Sequence, residues 1–131
     1  FMTRLVAHVS AGSRDMQKSA AFYDAGLKPL GAIRAMDYMP YAVGYGPEKD
    51  KAEFWVQLPN DQKTATAGNG VHFCFAAATR NAVDEFYKAA LKNGGKDAGP
   101  PGLRPDYAAT YYAAFVYDPD GNKLEAVTFA P

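Results

Sequence analysis

Hydrophobic and polar residues alternate over Arg4–Ala11: Leu5, Ala7, Val9 and Ala11 fall on one face, Val6, His8 and Ser10 on the other. That period of two predicts a strand with one face on a core. Gly12-Ser13 turns the chain, and from Asp15 to Leu27 the positions Met16, Ala20, Tyr23 and Leu27 recur at helical spacing. Gly26, Pro29 and Gly31 stop that helix. Strand-like segments follow at 32–37, 41–45 and 52–58, with a Gly46–Asp50 loop between the last two. A polar linker, 59–69, then leads into a second series. Gly70–Ala77 predicts a strand with Val71, Phe73 and Phe75 on one face and His72 and Cys74 on the other. Arg80–Leu91 predicts a helix with Val83, Phe86, Tyr87, Ala90 and Leu91 on one stripe, stopped by Asn93-Gly94-Gly95. Asp97–Thr110, with Gly99-Pro100-Pro101-Gly102, reads as a long irregular stretch of the kind that serves as a lid. A strand at Tyr111–Tyr117, a tight Asp118-Pro119-Asp120-Gly121 turn and a final strand at Lys123–Phe129 complete the chain.

The two series match each other. Sliding the sequence by 64 positions brings His8 onto His72, Phe22-Tyr23 onto Phe86-Tyr87, Ala25 onto Ala89, Leu27 onto Leu91 and Gly31 onto Gly95. Asp15 meets Thr79, both residues that cap helix N-termini. The expectation is one domain over 1–131, built of a βαβββ module at 3–59 and a second at 70–129.

Composition narrows the function classes. The 131 residues suit one domain, and a hydrophobic content of 48% excludes a disordered chain. Fourteen basic residues balance fourteen acidic ones, so the electrostatic footprint of a nucleic-acid or anionic-membrane binder is missing. No apolar run has the ~20 residues of a membrane span. Phe1-Met2-Thr3-Arg4 shows no signal-peptide plan, and with Cys74 as the single cysteine the expected compartment is a reducing cytoplasm. One cysteine also rules out an intrachain disulfide and an all-cysteine metal site, which leaves His8 and His72 to carry any histidine chemistry.

The final strand alternates Leu124, Ala126 and Thr128 against Lys123, Glu125 and Val127. If the first set packs on a helix, Glu125 turns to the opposite face, and the same parity turns His8 and His72 away from their helices. Two imidazoles and a carboxylate form a set that suits a divalent metal with positions left open for substrate. The plainer alternative is two hydrogen-bonded histidines and a solvated carboxylate. Cys74 shares the face of His72, as a ligand, a redox-sensitive thiol or a small buried residue. In the 97–112 stretch Arg104 is a candidate partner for an anionic substrate group, and Tyr107, Tyr111 and Tyr112 are candidate hydrogen-bond donors. Tyr112 and Glu125 are the expected catalytic pair. A solvated loop packed through its prolines and tyrosines is the alternative.

Three stretches carry a resemblance: Ala7-His8-Val9-Ser10 ahead of Ala21-Phe22-Tyr23, Gly70-Val71-His72-Phe73, and Phe115-Val116-Tyr117-Asp118-Pro119-Asp120-Gly121-Asn122-Lys123-Leu124-Glu125. With these, the chain from Leu5 to Thr128 resembles the vicinal oxygen chelate superfamily, which includes glyoxalase I, extradiol dioxygenases, thiol transferases and bleomycin-resistance proteins. The resemblance implies an α+β fold in which paired βαβββ modules form a cupped mixed sheet, helices on the convex side. It implies one divalent metal per site (iron, manganese, zinc or nickel) on His8, His72 and Glu125, and a small oxygen-bearing substrate in the cup. It also implies a homodimer, whose cups close either within one chain or across the two-fold. Val43-Gly44-Tyr45-Gly46-Pro47-Glu48 is similar to a stretch of bacterial glyoxalase I, and aligning it puts Trp55 where that enzyme has a second metal-bound glutamate. Glu53 and Gln57 share the parity of Trp55, so all three are candidate pocket residues. The open triad leans to a dioxygenase-like or transferase-like centre, the general pattern to a lyase or isomerase. The other reading is a metal-free protein that sequesters a small molecule, as bleomycin-resistance proteins do.

Overall fold

The computed structural model describes residues 4–131. The expectations that fall on residues 1–3, a start without a leader and a first module opening at Thr3, lie outside these. The chain runs β1 (Val9–Gly12), α1 (Met16–Leu27), a 3-10 turn (Lys28–Leu30), β2 (Ile33–Tyr38), β3 (Ala42–Gly46) and β4 (Phe54–Gln57). The order then repeats as β5 (His72–Ala76), α2 (Arg80–Lys92), β6 (Lys96–Leu103), β7 (Tyr112–Tyr117) and β8 (Lys123–Thr128). Two mixed four-stranded sheets result, ordered β1-β4-β3-β2 and β5-β8-β7-β6, each with its first strand parallel to its last.

The helices begin where the cap residues predict. The Asp15 carboxylate accepts from the Lys18 amide at 3.2 Å and the Thr79 hydroxyl from the Ala82 amide at 3.0 Å. Each cap satisfies a backbone donor that the first helical turn leaves open. Tyr23 on α1 packs against Phe54 and Tyr45 of the first sheet, while Val83 and Phe86 on α2 join the same buried cluster as Val116, Leu124 and Ala126. The two halves share this core. Phe54 lies 5.4 Å from the Phe73 ring and 5.1 Å from that of Phe75, so β4 of one half touches β5 of the other through aromatic edges.

The turn before β8 also locks the halves together. Asp118 is buried and accepts from the amides of Asp120 and Asn122, from the Asn122 side chain, and from Tyr23 of α1 at 2.5 Å. Asn122 in turn donates to the Gly12 carbonyl, and Arg14 pairs with Asp120 at 2.9 Å. Burial holds the Asp118 carboxyl above its usual range.

Two segments depart from the alternation pattern. Strand β1 starts at Val9 rather than Arg4, because its partner β4 starts at Phe54; the Val9 amide reaches the Glu53 carbonyl, and among the described residues the ladder does not continue upstream. Leu5 and Val6 consequently stand exposed. Half of the stretch read as a lid is strand: Lys96–Leu103 pairs with β7 across two register shifts, and 104–110 remain irregular. Its prolines are tolerated because β6 is an edge strand, with one side free of ladder bonds.

Candidate functional site

The faces of the two sheets turned away from the helices hold most of the chemistry-bearing side chains. On the second sheet, Cys74 pairs with Glu125 and Glu125 with Phe115 across three adjacent strands. Glu125 is 3% exposed. A buried carboxylate needs partners, and it has two: His72 Nε2 lies 3.1 Å from Oε1, and the Tyr111 hydroxyl donates to Oε2 in a short bond. The Tyr111 hydroxyl is pushed well above its ordinary pKa, first by burial and then by the bond to Glu125, so it keeps its proton. Cys74 is exposed as a residue, yet partial burial of its thiol, followed by the Glu125 charge, raises it to about 12.

His8 sits outside the β1 ladder, just upstream of it. It lines a trough of about 350 Å³ at the seam between the sheets, together with His72, Cys74, Glu53, Phe54 and Phe73. The three expected ligands are thus divided: His72 and Glu125 touch, while His8 shares only the trough. Among the described residues no three His, Cys, Asp or Glu side chains gather closely enough to hold a metal ion. What the chain does present is one imidazole and one carboxylate in contact, with a second imidazole on the same trough, a nitrogen and oxygen donor set of the sort divalent first-row metals take.

The remaining candidates fall into three places. Trp55 and Gln57 line a neighbouring open cavity of about 470 Å³ with His8, Ser10 and Met36, and Trp55 stacks on Tyr38 with centroids 6.1 Å apart. Glu53 pairs with Arg4 at 3.1 Å. Arg104 donates to the carbonyls of Gly102 and Pro100, both at 2.8 Å, which holds its guanidinium 5.5 Å from the Phe115 ring centre. Tyr107 is exposed and meets the Tyr111 ring edge-on at 5.0 Å.

Tyr112 goes elsewhere: its hydroxyl donates to Asp84 of α2 at 2.7 Å and its ring lies under Arg80. The neighbouring Tyr111 is the tyrosine at Glu125. Parity carried the signal, since Phe115 faces Glu125 in the ladder and residues 111, 113 and 115 share a face.

A model of the Glyoxalase/Bleomycin resistance protein/Dioxygenase superfamily matches residues 5–126. A glyoxalase/bleomycin resistance protein from Albidiferax ferrireducens T118 is 34% identical over 95% of this chain and 98% of its own, with a TM-score of 0.82. A glyoxalase-related enzyme from Fulvimarina pelagi is 20% identical, covering 95% and 88%, with a TM-score of 0.71. Lactoylglutathione lyase from Agrobacterium tumefaciens is 16% identical, covering 96% and 94%, at 0.62. No curated protein matches the chain.

Proposed function

Because this chain belongs to the Glyoxalase/Bleomycin resistance protein/Dioxygenase superfamily, we propose that it is a divalent-metal-dependent enzyme, lyase- or isomerase-like or ring-cleaving dioxygenase-like, acting on a small oxygen-bearing substrate. The observation that carries the reading is Glu125, a buried carboxylate whose Oε1 lies 3.1 Å from His72 Nε2 on an otherwise open sheet face. His72 and Glu125 would hold the metal, with His8 of the same trough as third ligand. A divalent metal in such a place polarises substrate oxygens. The other roles belong to the chain's own groups. Tyr111, held protonated, gives its single O–H to Glu125 Oε2 and so orients that carboxylate. Trp55 and Gln57 wall the pocket on the side of the first sheet. The working form in this reading is a cytoplasmic homodimer.

Metal analysis of protein purified without chelator, then titrated with iron(II), manganese, zinc and nickel, tests this. About one equivalent per site is expected, lost in His72→Ala and in Glu125→Gln. Less than about half an equivalent for every metal overturns the reading. Mixing His8→Ala and His72→Ala proteins shows which chains supply each site: ligands shared across a two-fold return about a quarter of the sites, ligands from one chain none.

A metal-free binding protein is the second reading, and one observation favours it: both Glu125 oxygens are already hydrogen-bonded, and among the described residues no three His, Cys, Asp or Glu gather to hold a metal. It predicts unchanged small-molecule binding after exhaustive chelation.

A further inference from the structure

The first sheet lays an indole flat on its open face. Ser10 of β1 pairs with Trp55 of β4, Trp55 with Gly44 of β3, and Gly44 with Met36 of β2, so these residues form one row across the sheet. A Cβ on Gly44 would stand 2.9 Å from Cε2 and 3.0 Å from Cη2 of the indole. Those atoms are not neighbours in the six-membered ring, yet they are almost equally distant. The ring therefore turns a face, not an edge, to the β3 backbone, and a glycine in mid-strand permits that close approach. Its other face looks off the sheet, into the cavity of about 470 Å³ that Trp55 lines with Ser10, Met36, Gln57 and His8. Tyr38 lies at 19° to the indole with centroids 6.1 Å apart. Near-parallel rings at that distance are offset, so Tyr38 widens the flat surface without capping it. His8 also lines the trough that holds His72 and Cys74, so the platform adjoins the proposed reaction centre. The charged side chains of the cavity, Asp50 and Lys51, are exposed and opposite in sign, and Lys51 pairs with Glu48 at 2.6 Å. Such a lining selects for shape and not for charge: a flat π system stacks on the indole and meets the Met36 thioether, and Ser10 and Gln57 offer a hydroxyl and a carboxamide to its polar edge.

We propose that the substrate carries an uncharged, planar aromatic ring that stacks on the open face of Trp55 beside Met36. This rests on the metalloenzyme reading for the chemistry, while the platform itself rests on the indole geometry. Trp55 makes the protein choose aromatic rings over saturated rings of the same outline.

Trp55 is the chain's single tryptophan, so indole fluorescence reports on this place alone. The test is binding of coumarin, acetophenone and benzamide, measured by calorimetry on the protein as purified, against octahydrocoumarin, cyclohexyl methyl ketone and cyclohexanecarboxamide. Indole emission, corrected for ligand absorbance, is followed in parallel titrations. A saturated ring buries no less apolar surface than its aromatic counterpart, so burial alone gives no aromatic preference. At least one aromatic compound is expected to bind about fivefold or more tightly than its saturated counterpart, and to change the indole emission along the same saturation curve. Trp55→Leu should lose the preference and Trp55→Phe keep part of it, both at the melting temperature of the wild type. If Trp55→Leu folds poorly, the wild-type emission and Trp55→Phe decide. Equal binding within every pair, no aromatic binding in the millimolar range, aromatic binding that leaves the indole emission unchanged, or a preference that survives in folded Trp55→Leu each overturn the platform. The two proposals fail separately: a protein that takes up no metal yet prefers aromatic rings, with chelator as without, overturns only the metal reading, and one that is metal-loaded but indifferent to aromaticity overturns only this one.

Discussion

The two halves of the molecule place different residues at one and the same position. In the first sheet Ser10 pairs with Trp55, and Trp55 with Gly44; in the second Cys74 pairs with Glu125, and Glu125 with Phe115. Trp55 and Glu125 are therefore equivalents in two copies of a fold. One copy keeps the carboxylate and surrounds it with His72 and Tyr111. The other fills the place with an indole stacked on Tyr38. Size is exchanged as well as chemistry. A Cβ at Gly44 would come within 2.9 Å of the Trp55 ring, whereas the smaller Glu125 leaves room for Phe115 opposite. The backbone repeats because both halves bury the same kind of face; the chemistry does not, because one carboxylate in contact with one imidazole is enough to start a site.

The largest test of the comparison breaks the seam. Phe54 reaches across to Phe73 and Phe75, while its counterpart Leu124 is fully buried in the shared core. Phe54→Ala should cost about 3–5 kcal/mol in denaturant unfolding, as expected for loss of a buried aromatic. Since the lost ring serves both halves, a single transition is expected to shift as a whole. Two resolved transitions would mean that the copies fold independently and share less than their contacts imply.

A smaller effect probes the exchange of size. Gly44→Ala should cost about 1–3 kcal/mol, because the new methyl meets the Trp55 ring and, at 2.6 Å, the Ala52 methyl carbon. Combining it with Trp55→Phe should recover part of that cost. Strict additivity of the two substitutions would show that Gly44 is small for some reason other than Trp55.

Much of this arrangement was legible in the chain. The 64-residue offset matched the two helices and their caps. The Gly-Pro-Pro-Gly composition at 99–102 argued for a loop where β6 lies, and local propensity is a poor guide on an edge strand that gives up ladder bonds on one side. Parity put Glu125 and His72 on one face. It also made a strand of residues 4–8, which lie outside the β1 ladder, yet His8 still lines the trough beside His72. The choice of Tyr112 over Tyr111 failed one residue short, at the boundary between loop and strand, where a shift of one position turns a side chain to the other face.

The finest difference between the halves concerns Cys74, which stands where the first half has Ser10. Its thiol is held at about 12, first by burial and then by the charge and hydrogen bond of Glu125, with Tyr111 pulling slightly the other way. A raised thiol pKa means less thiolate at any given pH, so alkylation by iodoacetamide at pH 8 should run about a hundredfold or more slower than for an unperturbed cysteine. The rate should keep climbing with pH through 9 and 10 without levelling. Glu125→Gln removes the charge but not the burial. The pKa should fall part of the way, and the rate at pH 8 should rise by about tenfold, with little change in fold stability. A wild-type rate that levels near pH 9, or a variant that alkylates no faster, would separate the thiol from the carboxylate. It would also leave Glu125 to the pair it forms with His72 and Tyr111.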